Sequence, residues 1–168
     1  MVMDTSVSDD FTMNVAQELP YLRRYARALT GSQSSGDNYA AATLEAMLED
    51  PEIMDRTKST KIALFGAFHA IWVTSGTPID EGESGIHARA QAHLKRLTAN
   101  TREALLLRTI EEFDFSDIAQ IMNTSRDEAE ELVGIAQREM ANTVTGKIMI
   151  IEDEAIIAMD LQSIVADM

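Results

Sequence analysis

Behind Ser125, apolar residues stand at Ala129, Leu132, Val133, Ala136 and Met140. That is the i, i+3, i+4, i+7, i+11 spacing of a helix with one inward face. Ser125 and Glu128 precede the stripe as S-x-x-E, a capping box that fixes the helix start. Such a helix is marginal alone in water and needs other elements to cover its apolar side. The same period recurs along the chain, so the partners are expected to be helices and the fold all-α.

A short helix is expected from Thr12 to Glu18. A second opens at Pro20, where a missing N–H costs nothing in a first turn. It turns Leu22, Ala26 and Leu29 inward and stops at Thr30-Gly31. The next helix is expected over 37–49, with Ser34 and Asp37 as cap candidates. Tyr39, Thr43 and Met47, with Ala40, Leu44 and Leu48, form its apolar face, and Asp50-Pro51 ends it. Residues 58–73 continue the pattern, with Ile62, Phe65, Phe68 (or His69) and Trp72 inward. These aromatics are expected in the core. TSGTPIDEGESG, residues 74–85, has no apolar period and reads as a linker. Helices resume over 86–97, 101–112, 116–122 and 125–143. The end differs: KIMII, residues 147–151, is a β-leaning run, followed by Ile156, Ile157, Leu161, Ile164 and Val165 at helical spacing. One strand and one helix open an α/β domain but complete no sheet.

The expected organisation is therefore a disordered tail at 1–11, a helical domain at 12–73, the linker at 74–85, a second helical domain at 86–145, and the start of an α/β domain at 146–168. Cysteine is absent, which removes thiolate metal ligands and nucleophiles. The three histidines, His69, His87 and His93, lack metal-ligand spacing. No apolar run is long enough to cross a bilayer, and the acidic start lacks a signal-peptide pattern. A cytoplasmic protein that is not an enzyme is expected.

Leu19 to Leu48, LPYLRRYARALTGSQSSGDNYAAATLEAML, resembles the N-terminal conserved region of extracytoplasmic-function sigma factors (region 2). Leu97 to Met140 resembles their C-terminal helix-turn-helix (region 4), with REALLLR, SDIAQIM and the recognition helix in order. KIMIIEDEAIIAMDLQ resembles the opening of a response-regulator receiver domain. Sigma-like first and receiver second is the order of the PhyR family, response regulators of the alphaproteobacterial general stress response. The resemblance implies partner switching: a sigma-factor mimic acts as an anti-anti-sigma adaptor. It sequesters a NepR-like anti-sigma factor and so frees the stress sigma factor. A histidine kinase controls this by phosphorylating an intact receiver. Glu152 and Asp153 match that receiver's Mg²⁺-binding acid pair. The sequence ends at Met168, before the positions where the family carries its phosphoacceptor aspartate, threonine and lysine. For this chain no cofactor, little Mg²⁺ affinity and phosphorylation-independent partner binding are expected.

Charge bears on the alternative, a DNA-binding extracytoplasmic-function-type sigma factor or transcription regulator. The chain carries a net −14, and residues 98–146 hold ten acids against four arginines. Duplex DNA presents one negative charge per about 1.7 Å of axis. The recognition helix meets it with Asp127, Glu130 and Glu131 outward, and base reading depends on Arg, Lys, Asn or Gln. That face excludes DNA and suits a basic protein partner. Gly134 costs a helix about 1 kcal/mol against Ala and permits close backbone approach. With Ile135, Arg138 and the acids it forms the expected partner-binding surface. Arg23 and Arg27, one turn apart, are a second candidate, pairing with acids of the linker or of a partner.

Overall fold

The computed structural model describes residues 5–77, 92, 94 and 96–143, with side chains from 12–77, 92, 94 and 96–142. Among these, every regular element is helical: α1 (Thr5–Thr30), α2 (Gln33–Glu49), a 3-10 turn (Pro51–Ile53), α3 (Thr60–Thr74), α4 (Ala99–Thr109), α5 (Phe115–Met122) and α6 (Arg126–Thr143). The expected receiver start at 146–168, including Glu152 and Asp153, lies outside the described residues. So does most of the helix expected over 86–97, although Ala92 and Leu94 are helical.

The first difference from the sequence expectation is at the N-terminus. In place of a tail to residue 11, a short helix and a break, α1 runs unbroken from Thr5 through Pro20. Proline inside a helix removes one hydrogen bond and crowds the preceding turn, a cost of about 3 kcal/mol. Burial offsets it. Val15, Leu22, Ala26 and Leu29 lie on one face across Pro20, and all are buried. A break would take one side of that stripe out of the core. Gly31, at φ 82°, stops the helix as expected.

The caps also moved. Ser32, not Ser34 or Asp37, caps α2, its side chain accepting from the Ser35 N–H. The inward face of α2 is Gly36, Ala40 and Thr43, continued by half-buried Met47. Leu48 lies about 100° further round and is 83% exposed, against its expected place in the apolar face. Ser59, Thr98 and Asp114 cap α3, α4 and α5.

Helices α1, α2 and α3 form an N-terminal lobe, and α4, α5 and α6 a C-terminal lobe. Six of the chain's nine aromatics run as one row through the first lobe into the second. Trp72 meets Tyr39 at 5.1 Å, Tyr25 meets Phe68 at 5.6 Å and Phe65 at 5.3 Å, and Phe65 meets Phe113 at 5.1 Å. Trp72, Phe65 and Phe68 are core residues, as expected.

Within the first lobe, α1 and α2 touch backbone to backbone at Gly36. This contact carries Asp37 between two guanidinium forks. Arg23 Nε and Nη2 donate to its two oxygens at 3.0 Å each, and Arg27 does so at 2.9 and 2.7 Å. The two cations hold the Asp37 carboxyl far below the ordinary carboxylate range. A depressed carboxylate stabilises the fold above its unfolded pKa, and that contribution is lost as pH falls through the folded value. Arg23 and Arg27 remain partly solvated, which screens the pair. Asp37→Asn is expected to cost about 1 kcal/mol at pH 7. Chemical denaturation of both proteins from pH 7 to pH 3 checks this, since the difference should shrink below about pH 5.

Candidate partner-binding surfaces

The geometry of α6 follows from its start. The Glu128 N–H donates to Ser125 Oγ at 3.1 Å, the first half of the capping box. The Glu128 carboxylate does not return to the cap; it accepts from the Thr124 hydroxyl. Asn123, left-handed at φ 52°, ends α5, and the Thr124 N–H reaches Ala119 O at 2.9 Å. The chain thus turns from α5 into α6 in three residues. Ala129, Val133 and Ala136 are buried against α4 and α5, with Leu132 and Met140 half-buried. The predicted stripe is in place.

That rotation exposes Asp127, Glu130, Glu131 and Glu139 together with Arg126, Gln137 and Arg138. Arg126 sits 3.6 Å from Glu130, a solvated pair that contributes little. Gly134 and Ile135 are half-buried at the edge of this face. A Cβ added at Gly134 would meet Arg138 Nη1 at 3.4 Å and no backbone. The chain's own packing therefore does not require glycine there.

Arg23 and Arg27 are placed differently. Both pair with Asp37 on α2, one carboxylate between two guanidinium groups, which leaves one positive charge over; the acids of the expected linker, Asp80, Glu81 and Glu83, lie outside the described residues. Sequence periodicity could not show this, because Asp37 reads there as a helix cap.

Two features of the joint between the lobes were missed altogether. The first is a groove of about 450 Å³ between α3 and the end of α5. Ile53, Ile62, Ala63, Ala67, Ala70 and Val73 form its apolar wall, with His69, Lys58 and Asp55 among its polar residues. The second is a set of buried ionisable groups. Glu103 Oε1 lies within hydrogen-bonding distance of His69 Nδ1, at 2.8 Å, and Tyr25 Oη donates to the same oxygen at 3.4 Å. Burial, then the Glu103 charge, pushes the Tyr25 hydroxyl well above 10, so it stays a donor. Glu111 Oε1 accepts from Arg24 Nε at 3.0 Å, and Lys61 Nζ lies 3.7 Å from Oε2. Burial raises the Glu111 carboxyl despite those cations. Arg102 donates to Ala28 O at 3.2 Å, and burial lowers it to about 10. One signal was available: neither Arg102 nor Glu103 has an opposite charge three or four residues away, so their partners had to come from elsewhere.

Among the described residues no cluster of three or more His, Asp or Glu side chains is arranged to hold a metal ion. None of the described helices is long and apolar enough to cross a membrane.

Two lobes built this way define a sigma-like helical domain. Residues 15–69 match the family model described as the Sigma2 domain of PhyR, and residues 94–143 that of response regulator PhyR, sigma-like domain. The phyllosphere-induced regulator PhyR of Methylorubrum extorquens is 42% identical over 151 residues, covering 90% of this chain and 57% of that protein. PhyR of Bartonella quintana, solved in complex with the anti-sigma factor NepR, superimposes with a TM-score of 0.72 at 34% identity, over 93% of this chain and 59% of its own. The PhyRSL–NepR complex of Sphingomonas sp. Fr1 matches with a TM-score of 0.67 at 33% identity, over 84% of this chain and 98% of that one. The chain belongs to the PhyR family. It spans a little under three fifths of the full-length relatives it matches.

Proposed function

We propose that this chain is a sigma-factor mimic acting in the cytoplasm as an anti-anti-sigma adaptor. It binds a NepR-like anti-sigma factor and so releases a stress sigma factor, without catalysing a reaction and without reading DNA. The observation that carries this reading is the match along nearly the whole length of a PhyR sigma-like domain solved with NepR bound. The surface of α6 supports it: Asp127, Glu130 and Glu131 are exposed where a DNA reader needs cations. A basic helix laid across α6 would meet these acids, with Gly134 letting its backbone approach and Ile135 giving an apolar contact. Arg23 and Arg27 are a secondary contact, since Asp37 already engages both and offsets one of their two charges. For a whole protein of this family, control by a kinase through the receiver and Mg²⁺ at Glu152 and Asp153 belong to the same proposal.

Titration calorimetry with a purified NepR-like protein, alongside a mobility-shift assay on promoter DNA, tests the reading. Binding with a Kd below about 1 μM, some 8 kcal/mol, is expected for the protein and none for DNA at physiological salt. Gly134→Ala, which the fold accommodates, is expected to weaken capture. DNA binding by the chain unaided overturns the proposal.

A further inference from the structure

Contact between the lobes runs from α3 to α5 and from α1 to α4. Its apolar centre is the Phe65–Phe113 pair, with Lys61 Nζ 4.7 Å over the Phe113 ring. Around that pair the joint is mixed: the apolar core is continuous from one lobe into the other, and ionic contacts cross beside it. Glu103 on α4 crosses to Tyr25 and His69, and Glu111 just beyond α4 crosses to Arg24 and Lys61. Arg24 Nη2 also reaches Ile110 O at 3.0 Å, and Lys58 Nζ reaches Gln120 O at 3.3 Å. Both carboxylates are essentially inaccessible, with side-chain exposures of 1% and 0%.

Ions are a poor way to weld two bodies permanently. Replacing a buried pair with packed apolar side chains is often neutral or stabilising, because desolvation offsets most of the Coulomb gain. What an ionic joint provides is separability. When the lobes part, water takes up both partners of every pair, whereas parted apolar faces stay exposed. Inter-domain surfaces of this mixed kind are the ones across which domains move. Inside the lobes no such buried carboxylates are needed: α1 packs on α2 and α3 through Leu22, Ala26 and Leu29, and α6 on α4 and α5 through Ala129, Val133 and Ala136, all part of the same apolar core.

We propose that this joint is a latch made to open, in which the lobes part and re-close as folded bodies and Glu103 and Glu111 hold them shut. His69 belongs both to the latch and to the wall of the groove between α3 and α5. An occupant of that groove therefore acts on Glu103 through His69. The latch is independent of which partner the chain takes, and its test needs no partner.

The chain has no cysteine, so Leu48→Cys and Gln137→Cys place one spin label on an exposed site of each lobe. Pulsed dipolar spectroscopy then reads the inter-lobe distance. The parent should show one short-distance population, with an open form of under about 10%. In Glu103→Ala/Glu111→Ala the long-distance population should become the majority while helical circular dichroism is kept. Urea titration of the labelled parent is the second measurement, and it stands if the double variant does not fold. There the long distances should grow before helicity and the emission of Trp72, the single tryptophan and a core residue of the first lobe, begin to change. An unchanged distribution in a folded double variant overturns the latch. So does a urea titration in which distance and helicity are lost together.

Discussion

Gly36→Ala is expected to be among the most damaging single substitutions in the first lobe, although it adds one methyl group. A Cβ at that position would lie 2.5 Å from Arg27 N, 2.6 Å from Arg27 Cα and 2.8 Å from Ala26 C. All three are backbone atoms near the end of α1 and cannot rotate aside. Relief requires α2 to back away from α1, and Asp37, the next residue, goes with it. The bonds to Arg23 and Arg27 then lengthen, and the buried contact of Ala40 and Thr43 loosens. Overpacking of this kind costs about 3 kcal/mol, or about 10 °C in the midpoint of a chain this size. Two glycines serve as controls. At Gly66 an added Cβ meets Ile121 O at 4.0 Å, and at Gly134 it meets the flexible end of Arg138. Gly134→Ala should gain up to about 1 kcal/mol of helix propensity. Thermal melts followed by circular dichroism separate the three. A Gly36→Ala protein melting within about 2 °C of the parent would mean that the helices do not approach this closely.

Gly36 also shows where sequence reasoning runs out. SQSSGD reads as a loop because it is rich in cap and turn residues, and nothing local announces that its glycine faces another backbone. The continuity of α1 through Pro20 was hidden for a similar reason: it depends on a core that forms only when α2 and α3 arrive. What was legible was what a single helix determines by itself. The stripe on α6, the inward turn of Phe65, Phe68 and Trp72, and the stop at Gly31 follow from period and capping alone. Leu48 is the exception that fits the rule: two apolar rows on α2 were equally periodic, and the face that packs runs between them through Ala40, Thr43 and Met47, leaving Leu48 outside.

The outer face of α6 was legible too, since side chains left off an apolar stripe must point to solvent. Asp127, Glu130, Glu131 and Arg138 are exposed where the sequence put them, and Gly134 and Ile135 stand half-buried beside them. The joint was not legible. In α4, Thr101 to Leu107 are buried without interruption, so no polar face identifies its orientation. Glu103 and Glu111 find their partners 34 to 87 residues away in sequence, a separation that no periodic pattern encodes.

Reversing the charge of α6 is expected to exchange the chain's preferences. Asp127→Asn/Glu130→Lys/Glu131→Lys raises the net charge of one exposed helix face by five units. Asparagine is chosen at 127 because a lysine in the first turn would oppose the helix dipole. The one ion pair lost among the described residues, Arg126 with Glu130, is solvent-exposed at 3.6 Å, so the melting temperature should move by no more than about 3 °C. Against a basic partner helix, each attraction becomes a repulsion. Like charges brought together at an interface cost several kcal/mol, so capture of a NepR-like protein should weaken on the order of a hundredfold, about 3 kcal/mol. Against DNA the sign of the effect is opposite. New lysines on this exposed helix face should bring non-specific binding into the range of about 10⁻⁴ to 10⁻⁶ M at physiological salt, falling steeply as salt rises. Calorimetry and mobility shift on the same preparation read both. If a folded variant captures its partner as tightly as the parent, the acidic face of α6 is not where the partner lies. If capture is lost but DNA still does not bind, the acids serve recognition, and the rest of the −14 charge is sufficient to keep nucleic acid away.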